Sequence, residues 1–181
     1  GRECAGAGGE GGAVVGGLEA GERVGLDRGS SCGQCDQCQQ GRAHTCRNLQ
    51  FLGCPGQAPG AAMEYITIAA ESCYPIPDSM TMVQAALVEP LSVGIHAVRL
   101  AEMQPGGAVA VLGSGPIGLS VLLAVGALCP SRTYVTDLLD NRLELAKRCG
   151  ADWTGVPTSE DVVKAILKEE PDGLDCVFEC A

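Results

Sequence analysis

Aromatic residues are scarce in this 181-residue chain, which contains one Trp, two Phe and three Tyr. Glycine is abundant by contrast, with 26 residues, and this combination predicts a backbone that makes many tight turns. Hydrophobic residues make up 46% of the chain and charged residues 19%, so the chain can bury a core and is not disordered. The length suits one full domain and part of another.

Basic residues are also few, because the chain has 12 Lys and Arg but 22 Asp and Glu, which gives a net charge of -10. The basic residues are scattered and form no stripe that could follow a phosphate backbone, which excludes unspecific nucleic-acid binding. The sequence shows neither internal repeats nor a cleavable signal peptide at its start. We therefore expect a protein of the reducing cytoplasm.

Charged residues are missing between Glu102 and Arg132, a run long enough in principle to span a bilayer. The segment Gly113-Ser114-Gly115-Pro116 interrupts this run at its middle. A buried-strand pattern precedes the interruption and a helix pattern follows it. Strand, turn and helix fit this segment better than a membrane span, and we expect no membrane partner.

Four of the 11 cysteines lie in one short polar loop, at intervals of three, three and eight residues: Cys32, Cys35, Cys38 and Cys46. Two-residue gaps let successive thiols turn toward a common centre, as a tetrahedral zinc site requires. Four thiolates leave no open position, so this zinc would hold structure and do no chemistry. The alternative is a disulfide pair or a redox couple, although an oxidising compartment favours an even cysteine set without such clustering. We interpret His44 and His96 as structural residues.

The first half of the chain has the composition of small, twisted β-strands, as in a barrel. Residues 62–68 alternate well enough to form one of these strands. Residues 82–100 have the spacing of a helical connector that is broken once at Pro90. A new domain begins near Pro105, so we predict one domain at 1–104 and a second at 105–181.

Strand and helix patterns alternate from Pro105 onward, which predicts parallel strands joined by right-handed crossovers. We predict strands at 108–113, 133–137, 152–156 and 174–179, and helices at 116–129 and 140–149. Gly150 would close the second helix as its C-terminal cap. Thr158 or Ser159 would cap a third helix that runs through Lys168.

The turn Gly113-Ser114-Gly115-Pro116-Ile117-Gly118 is a glycine fingerprint in the context of a dinucleotide site. It follows a predicted strand, opens a predicted helix, and is followed 19 residues after Gly118 by Asp137. Gly113 permits the tight turn, Gly115 lets the backbone approach a pyrophosphate, and Gly118 brings the helix close to the strand. Asp137 would accept hydrogen bonds from both ribose hydroxyls and repel a 2′-phosphate, which favours NAD over NADP. A glycine turn and a capping aspartate without a ligand are the alternative.

A four-cysteine loop followed by this nucleotide fold resembles the zinc-dependent medium-chain alcohol dehydrogenases, within them the polyol branch typified by sorbitol (L-iditol) dehydrogenase. The resemblance covers essentially the whole chain and depends on four segments in the family's order: Gly1-Arg2-Glu3, Cys32 to Cys46, Val88 to Gly94, and Gly113 to Gly118. It implies an α/β fold. In this fold an incomplete, doubly wound Rossmann sheet follows part of a chaperonin-10-like β-barrel catalytic domain that carries a zinc lobe.

This resemblance implies an oxidoreductase that transfers a hydride from a secondary alcohol or polyol to NAD. It also implies a second, catalytic zinc, for which the chain offers Glu3 and Glu89. Arg2 stands where the family has a zinc-binding histidine, and an arginine cannot lose its proton to bind zinc. The implied cofactor site comprises Gly113, Gly115, Pro116, Ile117, Gly118, Asp137 and Arg142.

Two other functions stay open on the sequence. One is a threonine 3-dehydrogenase-like enzyme of the same family, and the other is a non-catalytic relative that keeps only the structural zinc and the nucleotide fold. Gly1 falls inside a family motif and Ala181 closes a strand that should continue, so we expect a fragment that does not turn over alone. The full-length protein is expected to be a homo-oligomer.

Overall fold

The computed structural model describes residues 4–9 and 17–181 of the chain. Contacts divide the chain into two compact units, residues 1–89 and 90–181, and the division falls inside one helix. Each unit is built on its own sheets. The domain boundary near Pro105 stays a prediction.

The described part of the first unit is built mainly from short antiparallel strands and a short helix. These elements are β1 (Ala5–Ala7), β2 (Arg23–Leu26), β3 (Gly29–Ser30), α1 (Asp36–Gln39), β4 (Gln50–Phe51) and β5 (Cys73–Pro75). Strand β2 lies between β1 and β5, while β3 pairs with β4. Val24 in the central strand is buried. Short antiparallel strands of this kind agree with the predicted part of a barrel.

Two predictions for this half of the chain are wrong. Residues 62–68 form no strand, because a strand needs a hydrogen-bonded partner and no described residue pairs with this segment. Tyr65 within it is 82% exposed. Helix α2 (Met82–Leu100) runs through Pro90 without the predicted break. The missing proline N–H removes one hydrogen bond, which the remaining turns of a 19-residue helix can compensate.

The second unit is a parallel sheet of four strands joined by helices. These elements are β6 (Ala108–Leu112), α3 (Pro116–Leu128), β7 (Arg132–Thr136), α4 (Asp140–Arg148), β8 (Trp153–Gly155), α5 (Val162–Glu169) and β9 (Cys176–Glu179). The strands stand side by side in the order β8-β7-β6-β9. Counted within the sheet this order is 3-2-1-4, the arrangement of a Rossmann fold. The predicted fold class is confirmed.

Strand β6 lies between β7 and β9 in the sheet and is covered on both faces. Val109 and Val111 point to one face and pack in a cluster with the buried side of α3. Ala110 points to the other face, where it packs with Ile166 of α5. Alternation of side chains along a strand makes this division, and burial of both faces explains why β6 is apolar throughout.

Two helix ends show which residues set the local boundaries. Asp161, and neither Thr158 nor Ser159, caps α5, because its Oδ1 accepts from the Lys164 amide at 3.0 Å. The Ser159 hydroxyl instead donates to the Val156 carbonyl. Gly150 follows α4 with φ of +101°, so the predicted glycine cap is confirmed. Across residues 4–9 and 17–181, no helix is both long and apolar enough to cross a membrane.

Candidate metal centre and cofactor site

The four clustered cysteines meet in the loop between β3 and β4. Cys35 immediately precedes α1, Cys38 lies in that helix, and Cys46 follows a short 3₁₀ helix, Ala43–Thr45. All four Sγ atoms lie within 4.8 Å of one another. Sulfur separations of 3.5 Å (Cys32 to Cys46), 3.6 Å (Cys35 to Cys38) and 3.9 Å (Cys35 to Cys46) bracket the spacing of about 3.8 Å expected from four Zn–S bonds of about 2.3 Å. The donor set therefore fits a tetrahedral zinc ion.

Peptide N–H groups surround the thiols and favour their ionised form. Cys46 Sγ accepts from the amides of Cys32 (3.2 Å) and Asn48 (3.3 Å). The amide of Arg47 and then that of Cys38 lower the pKa of Cys35 to about 6. Burial raises the pKa of Cys38 to about 11, and a metal ion would overcome this effect because a coordinating thiol is deprotonated outright.

An ion pair ties the short helix α1 to the chain that follows the last cysteine. Arg47 Nη2 donates to Asp36 Oδ2 at 2.8 Å, while Arg47 Nε donates to the other carboxylate oxygen. This two-pronged contact with the guanidinium lowers the pKa of Asp36 to about 2. His44 lies nearby on the surface, outside the group of ligand atoms.

The glycine turn lies at the carboxyl end of β6, where α3 begins. Gly113 has φ of +91°, a conformation that favours glycine. A Cβ on Gly118 would stand 1.8 Å from the Gly113 carbonyl oxygen, so only glycine lets α3 lie this close to β6. A Cβ on Gly115 would meet only Arg142 Nη1, at 3.9 Å. Open space therefore adjoins Gly115 at the N-terminus of α3, where backbone N–H groups lack intrahelical partners.

Asp137 follows β7 and reaches the glycine turn of the neighbouring strand. Its Oδ2 accepts from the amide of Ser114 at 2.8 Å and from the Ser114 hydroxyl at 3.2 Å, with Arg142 Nη1 at 3.5 Å. Its Oδ1 accepts from the Leu139 amide at 3.0 Å. Burial opposes ionisation of this carboxyl, but these donors outweigh it and hold the pKa of Asp137 below its ordinary value. The structure thus brings Asp137 and Arg142 to the turn.

The two carboxylates predicted to bind a catalytic zinc, Glu3 and Glu89, do not form a metal site among the described residues. Glu3, like Arg2, lies outside the described residues. Glu89, in α2, has its Oε1 2.7 Å from Arg28 Nε, and the Arg28 guanidinium stacks over the Phe51 ring at 5.2 Å. Within residues 4–9 and 17–181, the four cysteines are the only group of three or more Cys, His, Asp or Glu side chains close enough to hold a metal.

Sequence reasoning missed two residues of these sites. Ser114 occupies a variable position between two glycines of the fingerprint, yet it is 1% exposed and donates two hydrogen bonds to Asp137. A polar residue inside a turn that must pack tightly was the available signal. Arg28 is separated from Glu89 by 61 positions, and no local pattern connects the two.

A family model describes the first part of the chain. Residues 1–78 match the alcohol dehydrogenase GroES-like domain. This range contains the four cysteines and every antiparallel strand that the structure describes. The geometry of the zinc-type loop and the domain match therefore point to the same family.

Curated relatives match the chain from end to end. Sorbitol dehydrogenase of Bacillus subtilis (strain 168) is 38% identical over 182 residues, which cover 100% of this chain and 51% of the relative. L-idonate 5-dehydrogenase of Vitis vinifera is 38% identical over 185 residues, covering 99% of this chain and 50% of the relative. The chain thus spans about half the length of these relatives.

A solved structure is similar to this chain over almost its whole length. A zinc-binding dehydrogenase from Sinorhizobium meliloti 1021, bound to NADP, superposes with a TM-score of 0.90 and 34% sequence identity. The match covers 99% of this chain and 53% of that protein.

Proposed function

The chain belongs to the zinc-type alcohol dehydrogenases with a GroES-like domain, and from this premise we propose that the protein is a zinc-containing oxidoreductase that oxidises a secondary alcohol or polyol with NAD. The position of the Asp137 carboxylate beside the glycine turn carries the proposal, because it creates an acceptor for ribose hydroxyls where a dinucleotide would lie. The polyol substrate class is supported by the sorbitol and L-idonate dehydrogenases that the chain resembles.

The chain's own residues would bind and orient the adenosine half of the cofactor. The open space beside Gly115 would admit the pyrophosphate, and the N-terminal amides of α3, including those of Ile117 and Gly118, would donate to it. Asp137 would accept from the ribose, with Arg142 at its flank. Pro116 at the first helical position costs no hydrogen bond there.

At the glycine turn the chain would hold NAD, which would supply a hydride acceptor for the alcohol carbon, and a catalytic site would hold a zinc ion, which would supply Lewis-acid chemistry at the alcohol oxygen. The cysteine cluster has a different role, because Cys32, Cys35, Cys38 and Cys46 fill all four positions of a tetrahedral ion. We assign them a structural zinc. Cysteines that bind zinc and form no disulfide are typical of compartments that keep thiols reduced, which supports a cytoplasmic location.

Glu3 and Glu89 remain our candidates for the carboxylates of the catalytic zinc. For Glu89 to reach a metal, its ion pair with Arg28 would have to open. Arg2 adds a second obstacle, since a guanidinium cannot replace a histidine ligand. We therefore expect the catalytic zinc to be held more weakly than the structural one.

Metal analysis of the Arg2→His variant tests this expectation. Wild-type full-length protein should carry about one tightly held zinc per chain, and the variant about two, with a parallel rise in alcohol oxidation. Arg23→His, at a position bonded to the carbonyls of Asp78 and Met80, is the control and should not change zinc content. Two tightly held zinc ions in the wild type would contradict the role assigned to Arg2.

The function itself is tested by offering full-length protein a panel of polyols and threonine while NADH formation is followed. Oxidation of one or more polyols with NAD is the expected result. Preferential oxidation of threonine would favour a threonine 3-dehydrogenase-like enzyme instead. Binding of NAD and zinc without oxidation of any alcohol would favour a non-catalytic relative.

A further inference from the structure

The hydroxyl of Ser114 makes a hydrogen bond that the glycine turn does not need for its own conformation. Its backbone amide already donates to Asp137 Oδ2 at 2.8 Å, which closes the turn against β7. The side-chain hydroxyl then donates to the same oxygen at 3.2 Å, and the residue is almost completely buried. The Leu139 amide holds the other carboxylate oxygen at 3.0 Å, so the hydroxyl adds a further hydrogen bond to a carboxylate whose rotation the two amides define.

The two carboxylate oxygens of Asp137 consequently accept from different numbers of donors. Oδ2 takes both Ser114 donors and lies 3.5 Å from Arg142 Nη1, while Oδ1 takes the Leu139 amide. An ionised carboxylate has about two acceptor positions on each oxygen. Described residues therefore occupy both acceptor positions of Oδ2, whereas Oδ1 has one acceptor position remaining. A ribose hydroxyl would be received by Oδ1.

We propose that Ser114 is a positioning residue for cofactor selectivity. Its hydroxyl strengthens the hold of the Ser114 and Leu139 amides on the rotation in which the Asp137 carboxylate presents Oδ1 to the ribose of NAD. The proposal rests on the proposed use of a nicotinamide dinucleotide. Ser114 acts through Asp137 and need not touch the cofactor with its side chain. Without the hydroxyl, the amides of Ser114 and Leu139 and the Arg142 guanidinium still hold the carboxylate, but its rotation is less tightly restricted and its hydrogen bond to the ribose weakens.

This role predicts an effect on one cofactor and not the other. NAD gains from a correctly turned carboxylate, since its ribose carries two hydroxyls. NADP carries a 2′-phosphate, which the Asp137 charge repels in either rotation, so it gains nothing from the Ser114 hydroxyl. Loss of the hydroxyl should therefore weaken NAD binding and leave NADP binding almost unchanged.

The experiment compares Ser114→Ala with Ser120→Ala in the full-length protein. Ser120 is a suitable control because its buried hydroxyl donates to the Pro116 carbonyl within the same helix, at 2.7 Å, away from Asp137. Dissociation constants for NAD and NADP are measured by calorimetric titration, together with kcat and KM. Thermal unfolding of both variants reports any general loss of stability.

For Ser114→Ala we expect the Kd and KM for NAD to rise about fivefold, with kcat and the Kd for NADP changed less than about twofold. Ser120→Ala should leave the ratio of the two dissociation constants unchanged even where it lowers the unfolding temperature. Equal weakening of NAD and NADP by Ser114→Ala, or no weakening of either, would overturn the proposal. If the wild type binds neither dinucleotide, the proposed function itself fails, and this outcome is distinguishable from the others.

Discussion

The cysteine loop and the glycine turn are both candidate binding sites, but they are held in place by different means. Between residues 31 and 49 the cysteine loop has only a four-residue helix and a three-residue 3₁₀ helix, and Cys46 is its one buried thiol. The glycine turn joins a strand with four buried residues to a 13-residue helix whose inner face is buried. Metal ligation must hold the first site, whereas the hydrophobic core holds the second.

This difference predicts that each site can be destroyed without the other. Cys46→Ser removes one of four ligands and should reduce the structural zinc from about one ion per chain to about a tenth of that, with residues 32–46 becoming open to limited proteolysis. NAD affinity should change less than about twofold, because the turn depends on its own core. Cys54→Ser is the control, since Cys54 lies outside the metal cluster and should leave zinc in place. Full zinc content in Cys46→Ser would contradict the assignment.

The complementary change is Gly118→Ala, which should damage the glycine turn and spare the zinc. Its Cβ would lie 1.8 Å from a carbonyl oxygen, so α3 must move away from β6 at a cost of about 3 kcal/mol in the free energy of unfolding. NAD affinity should fall at least about tenfold as the turn opens. Urea unfolding and NAD titration measure the two effects, and zinc analysis should give the wild-type value.

Gly126 offers a matched control for this change in the same helix. A Cβ at Gly126 would meet nothing within 4 Å. Gly126→Ala should therefore raise the free energy of unfolding by about 0.5–1 kcal/mol, since alanine loses less backbone entropy in a helix. Equal destabilisation by both alanine variants would show that the close approach at Gly118 is not what fixes the turn.

A smaller effect is expected from a polar group on the face of the sheet that packs against α5. Tyr134 donates its hydroxyl to Glu170 Oε1 at 2.6 Å, and Arg132 donates to the other oxygen at 2.7 Å. Burial, followed by the hydrogen bond to Glu170, raises the pKa of Tyr134 to about 12. The protonated hydroxyl thus stabilises the fold below the unfolded pKa of about 10, and this contribution is lost as the pH rises from about 10 to 12.

Comparison with Tyr134→Phe isolates this contribution from the other groups that titrate at high pH. The free energy of unfolding of the wild type should fall by about 1–2 kcal/mol more than that of the variant between pH 10 and 12. The difference in tyrosine absorbance between the two proteins should show a midpoint well above pH 10. A midpoint at about 10 would mean that the hydroxyl is open to solvent, contrary to its buried position.

The sequence predicted those features whose cause is local. Strand and helix alternation gave the parallel sheet to within about two residues at most ends, and the spacing of the cysteines predicted a cluster that the structure assembles. The prediction of a strand at residues 62–68 was wrong because the alternation of side chains describes a single strand, while a strand forms only with a hydrogen-bonded partner. The contacts of Ser114 with Asp137 and of Arg28 with Glu89 join distant residues, so no window of sequence could reveal them.

The central claim, that a dinucleotide binds at the turn beside Asp137, is tested most directly by titrating full-length wild type and Asp137→Ala with NAD and NADP. We predict that the wild type binds NAD at least about tenfold more tightly than NADP, because the carboxylate accepts from the ribose and repels a phosphate. In Asp137→Ala this preference should vanish or reverse, with Arg142 released to meet the phosphate. Equal affinity of the wild type for both dinucleotides, unchanged by the substitution, would contradict the account.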